Sequence, residues 1–247
     1  MSLRLPCPLK IKNNTIEKKA PGGIRMASTV FPVITFMLFV LLIWAAILFY
    51  KNPSWALAML IPLLAWLIYD ALVIALGNVL GEGSMLEVLT RLRYLLRAIM
   101  TPFLLIVAFD QASRAKARLT ADPLASLVIW GIVIALVGLG IAKIFSGFGL
   151  EPTVIEGITR YKEVESFGTP YSALATMAFL VILGVVVFLK TRTPWQLPGA
   201  LLMLASLVVS ASSLPSLLPA AASVILALGF LLTEKKLQKI SPNPIAG

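Results

Sequence analysis

The chain has no histidine, a single cysteine and only three aspartates in 247 residues, and each scarcity removes a chemistry. Without histidine there is no His-box di-iron site, HExxH zinc protease, Ser-His hydrolase, His-ligated haem or phosphohistidine phosphatase. Cys7 alone can form neither an intrachain disulfide nor a thiolate metal site. Asp70, Asp110 and Asp122 stand far apart, so the paired-Asp motifs of membrane prenyltransferases and CDP-alcohol phosphotransferases are absent. No phosphate-cradling GxxxxGKS/T or GxGxxG loop occurs. A retinal Schiff base needs a lysine within the last helix, whereas Lys235 and Lys236 lie at its end. The sequence therefore implies no metal and no cofactor.

Charge is scarce as well. Charged residues make up 13% of the chain and hydrophobic ones 59%, where a soluble globule carries about 25% charged residues. That leaves no polar shell for an ordinary globule, so the apolar surface must face lipid. Backbone groups in lipid are satisfied only in helices or closed barrels. Barrel strands would alternate in polarity; here the apolar runs are unbroken and near the ~20 residues of a spanning helix. The expected fold is all-α, a polytopic bundle of about seven spans at 29–50, 55–77, 92–111, 123–145, 170–189, 195–212 and 214–233. Pro215 and Pro219 leave open a single broken helix in place of the last two, giving six.

Residues 1–27 read as a disordered basic tail and 236–247 as a C-terminal tail, flanking a transmembrane domain over 28–235. Met26 would itself make a start, so the tail's membership of the native chain stays open. Local chemistry marks several helix starts. Asn52-Pro53, Asp122-Pro123 and Thr169-Pro170 each put a capping side chain before proline. Ser84-Met85-Leu86-Glu87 is a capping box, and Thr101-Pro102 a potential kink. The one long connection, 144–169, carries a second box, Thr153 to Glu156. Val154, Ile158, Tyr161 and Val164 follow at helical spacing, which predicts a short amphipathic surface helix, as a cover or a lid.

The formal charge of +10 sits in short clusters between apolar runs, the pattern that orients a membrane protein rather than one that binds nucleic acid. Lys51, then Arg114, Lys116 and Arg118, then Lys190 and Arg192, then Lys235, Lys236 and Lys239 gather on one face. This predicts a multi-pass protein with its N-terminus outside and C-terminus cytoplasmic, although the basic tail argues the other way.

Asp70 and Arg97 are the acid and the base set deepest in apolar runs, a costly placement that marks functional candidates. The bend at Gly81-Glu82-Gly83-Ser84 folds the chain about the 83–84 bond, from which both are equidistant, so they are expected to meet. At ~1.5 Å per residue they lie about 8–10 Å beneath the outer hydrocarbon edge. Helical steps bring Asn78 to the same face as Asp70 and Arg93 to that of Arg97, with Glu82 and Glu87 above. Asp70, Asn78, Glu82, Glu87, Arg93 and Arg97 are thus the candidate substrate-binding residues, in a polar pocket open to the outer side. The alternative is a plain ion pair locking two helices, with Arg91 and Arg93 snorkelling to headgroups. Asp110, beside Gln111 and Ser113, reads as interfacial.

Tyr69-Asp70, Gly77, Gly81-Glu82-Gly83, Arg93-Tyr94 and Thr101-Pro102 together resemble a family of uncharacterised multi-pass membrane proteins of cyanobacteria and fungi. The resemblance covers this hairpin alone and implies its importance without supplying an activity. Members often carry histidine where this chain has Arg97, which speaks against proton transfer there. Some relatives are called phospholipid phosphatases, but the elements that would justify the name are missing here.

Three functions remain. The first is binding or transport of a lipid-like or small amphiphilic molecule whose anionic part meets Arg93 and Arg97. The second is a non-catalytic membrane subunit or assembly factor. The third is an enzyme on a membrane-dissolved lipid or isoprenoid, with Asp70 or Glu82 as base. The expected partners are membrane lipids and other membrane proteins, and no nucleic acid. No internal repeat supports transport.

Overall fold

Each long apolar run becomes a helix, because inside a bilayer only the helix satisfies its own backbone. The computed structural model describes residues 24–80, 83–115, 123–145, 150–155, 158–163, 171–209 and 217–240. In chain order the elements are α1 (Ile24–Lys51), α2 (Trp55–Leu80), α3 (Ser84–Arg114), α4 (Pro123–Phe145), β1 (Leu150–Ile155), β2 (Ile158–Glu163), α5 (Tyr171–Thr191), α6 (Gln196–Val209) and α7 (Leu217–Ile240). Six of these helices, all but α6, are long and apolar enough to cross a membrane. The chain is an all-α, multi-pass integral membrane protein with one small hairpin.

α3 is the central helix, packed by α2, α4, α5 and α7, while α1 closes on α2 and α7. The core includes Leu38, Leu57, Leu64, Leu105, Leu180 and Phe230, all buried. Large apolar side chains also cover the outside, among them Phe36 and Ile43 of α1 and Leu127 and Ile134 of α4. In water that surface would be untenable; in lipid it costs nothing.

The last two helices form an antiparallel pair, not one broken helix. A Cβ added at Gly199 would meet the backbone of Leu226, and one at Gly229 the backbone of Trp195. As the position falls from 199 in α6 to 195 just before it, the partner on α7 rises from 226 to 229, and glycine at both crossings allows backbone-to-backbone approach. α6 has 14 residues, about 21 Å at ~1.5 Å per residue, against a hydrocarbon core of ~30 Å. It is shorter than the 195–212 span expected of it, and residues 210–216 lie outside the described set.

Other expectations need correction. α1 begins at Ile24 and α7 runs to Ile240, so helix takes in parts of both supposed tails. α2 starts at Trp55 with Ser54 as its cap, the Leu57 N–H donating to Ser54 Oγ at 3.3 Å, instead of Asn52. The Ser84 capping box does not form. Gly83 is the N-cap of α3, without a side-chain bond, and Glu87 turns to Arg91 at 2.7 Å. Pro102 sits buried inside one continuous α3.

The amphipathic helix expected within 144–169 is instead the antiparallel pair β1–β2, in register from Leu150↔Glu163 to Ile155↔Ile158. The residues explain the outcome. Thr153-Val154-Ile155 and Ile158-Thr159 are β-branched and favour strands, and only two residues of sequence separate the paired Ile155 and Ile158. β2 packs against α1, α2 and α3.

Candidate functional site

Asp70 lies on α2 and meets two arginines of α3. Arg93 Nε donates to Oδ1 at 2.7 Å, and Arg97 Nη2 reaches Oδ1 and Oδ2 at 3.1 and 3.2 Å. Arg93 and Arg97 are four residues apart, one helical turn, so both project onto the face of α3 that α2 covers. Their surroundings differ. The side chains of Asp70 and Arg93 are 15% and 13% exposed, while that of Arg97 is 44% exposed. Arg93 also lies over the Tyr94 ring, 5.8 Å from its centroid. On the facing helix, Tyr69 donates its hydroxyl to the Leu89 carbonyl at 3.0 Å. That bond fixes the register of α2 against α3 beside the charges. Two guanidinium groups against one carboxylate leave a net charge of +1.

Of the six residues singled out in the sequence, Asp70, Arg93 and Arg97 come together. Glu87 does not join them, because its carboxylate pairs along α3 with Arg91 on the exposed face. Glu82 and the side chain of Asn78 lie outside the described residues. The triad is a clasp whose outer member emerges on the bundle surface.

A second charged cluster, unforeseen in the sequence, lies at the opposite end of the bundle. Glu234 of α7 is completely buried. It accepts from Ser54 Oγ at 2.7 Å, from Gln111 Nε2 at 3.3 Å and from Arg114 Nη2. Arg114, 9% exposed, also donates from Nε to Asp110 Oδ2 at 3.0 Å. Gln111 reaches the Phe230 carbonyl as well, at 3.1 Å. Arg114 thus belongs to the interior. One arginine between two carboxylates gives this cluster a net charge of −1. Its signal was present in the sequence as spacing. Leu226, Phe230, Glu234 and Leu237 continue one buried face of α7 at helical steps past the supposed end of the span.

Between the clusters the centre is apolar. A gap of about 20 Å³ is lined by Leu60, Leu63, Trp66, Leu104, Met177 and Phe230 among others, room for about one water molecule. A larger recess of about 350 Å³ lies between α2, α3 and α4, near Asp110. Neither borders the Asp70 triad. Among the described residues no group of three or more His, Cys, Asp or Glu could hold a metal ion.

The chain matches no protein-family model, no curated protein and no solved structure. The functional reading therefore rests on the site alone.

Proposed function

We propose that the protein binds a lipid-like amphiphile through the amphiphile's anionic group, with Arg97 as the contact and Asp70–Arg93 as the buried anchor that holds it. The observation that carries this reading is the asymmetry within the triad. Arg93 is enclosed, whereas Arg97 spends one guanidinium nitrogen on Asp70 and turns 44% of its side chain outward. A guanidinium facing lipid seeks a phosphate or carboxylate, for which its planar fork is well matched. Asp70 lies seven residues inside the Gly77 end of its span, about 10 Å at ~1.5 Å per residue. That is within reach of a headgroup drawn slightly inward.

The apolar centre favours binding over passage, since no polar lining connects the two ends among the described residues. Catalysis by Asp70 has less support, because three hydrogen bonds from two guanidinium groups fill all but about one of its four acceptor positions and hold it in an ion pair. The second reading, a helix clasp in a subunit or assembly factor, is favoured by the tight Arg93–Asp70 contact.

Native mass spectrometry from phosphatidylcholine nanodiscs doped with phosphatidylglycerol separates the two. Wild-type protein should retain phosphatidylglycerol selectively. Arg97→Gln should lose that preference by about tenfold, equivalent to 1.4 kcal/mol, while Arg91→Gln on the exposed face should keep it. Equal retention by wild type and Arg97→Gln would leave only the clasp.

A further inference from the structure

The recess between α2, α3 and α4 is graded in polarity along the membrane normal. At its mouth, near the first turn of α2, stand Trp55 and Asp110. One turn deeper, Met59 and Ile106 make the walls apolar, with Ile129 and Trp130 together on the α4 side. Trp130 of α4 flanks it, and both tryptophans are partly exposed on the bundle surface. Asp110 lies four residues before the end of α3 at Arg114, about 6 Å along the axis, so its carboxylate sits about one turn inside that end of the bundle. A recess with a polar mouth and a greasy floor has the shape of a site for a head and a chain.

Its charge chooses the head. Asp110 shares Arg114 with Glu234, and one cation between two carboxylates leaves −1. The α2 N-terminus adds a partial positive charge, about half a unit, through the Ala56 N–H that bonds to Asp110. The balance stays negative. Among the described residues, Lys236 donates to the Thr191 carbonyl at 2.8 Å and Lys235 lies over the Trp44 ring. A carboxylate has about four acceptor positions, and Arg114 and Ala56 occupy two of those on Asp110. Its side chain is 29% exposed, and the neighbouring Trp55 and Trp130 offer ring faces of the kind that attract ammonium groups.

We infer that this recess is a second ligand site, for a bilayer amphiphile with an ammonium head, whose cation meets Asp110 between Trp55 and Trp130 while its chain lies over Met59 and Ile106. It is opposite in charge preference to the Arg97 site and independent of it.

Titration of the full chain in nanodiscs of uncharged lipid with dodecyltrimethylammonium, below its micellar concentration, tests the site through tryptophan fluorescence. Dodecanol serves as the uncharged comparison. The expected result is saturable binding of the ammonium probe, at least about tenfold tighter than dodecanol, and lost in Asp110→Asn. Because Asp110 also supports Arg114, Ser126→Phe provides the second variant. It fills the recess from α4, leaves the charges in place, and should abolish binding equally. Equal affinity for dodecanol, or undiminished ammonium binding by Ser126→Phe, overturns the assignment.

Discussion

The two charged clusters are built from the same kinds of side chain yet differ in nearly every physical respect. At the Gly83 end, two arginines of one helix share one aspartate of its neighbour, and the outer arginine emerges on the surface. At the Lys51 end, one arginine is shared by two acids from different helices, and the inner acid is completely buried. Thirteen residues of α3 separate Arg97 from Asp110, about 20 Å, and the space between is apolar. Burial decides what each charge in a cluster can do. A charge with no route to water or headgroup can only hold helices together, whereas one that reaches the surface can exchange partners.

The comparison is broken most forcefully at Arg114. Arg114→Gln would leave Asp110 and the buried Glu234 without their cation. Breaking a buried pair costs roughly 3–5 kcal/mol, so detergent-solubilised protein should show a large fall in Tm or fail to assemble. A loss under 1 kcal/mol would mean that the cluster is hydrated. Asp70→Asn should cost less, about 2 kcal/mol, in the range of charge-assisted hydrogen bonds. Arg97 can turn to headgroups while Arg93 keeps a neutral acceptor. Arg97→Gln should be nearly silent in the same thermal assay, within about 1 kcal/mol, as expected of a partly exposed ion pair. If Arg97→Gln proved as damaging as Arg114→Gln, the distinction between a holding arginine and an exchanging one would fail.

The Asp70–Arg97 meeting was legible because a short glycine-rich bend fixes the register of adjacent helices, and equidistance from the bend then predicts a contact. Glu234 was not, because Thr233-Glu234-Lys235-Lys236 resembles the polar exit of a span. Only its place on the Leu226–Phe230 face reveals it as interior, and its partners Ser54 and Arg114 are 180 and 120 residues away. No pattern in a single sequence carries a separation of that size. The hairpin at 150–163 departs from the helical expectation for a local reason: the spacing Val154, Ile158, Tyr161 fits a helix, but the β-branched runs Thr153-Val154-Ile155 and Ile158-Thr159 outweigh it. The brevity of α6 likewise depends on glycine contacts across to α7, which hydropathy does not record.

The smallest expected effect on stability comes from a topology probe. In a Cys7→Ser background, Lys51→Cys and Ser84→Cys should label from opposite sides of sealed vesicles with Tm unchanged. The proposed orientation puts Lys51 on the cytoplasmic side. Labelling of Lys51→Cys from the outside would invert the assignment of each cluster to a leaflet.

The central claim concerns what Arg97 touches. A cryo-EM structure in nanodiscs containing anionic lipid reports this directly. We expect a phosphate oxygen about 2.8 Å from the Arg97 guanidinium, the distance of a charge-assisted hydrogen bond, with Asp70 still held by Arg93. An Arg97 surrounded only by acyl chains, or folded wholly onto Asp70 with no headgroup beside it, would contradict the account.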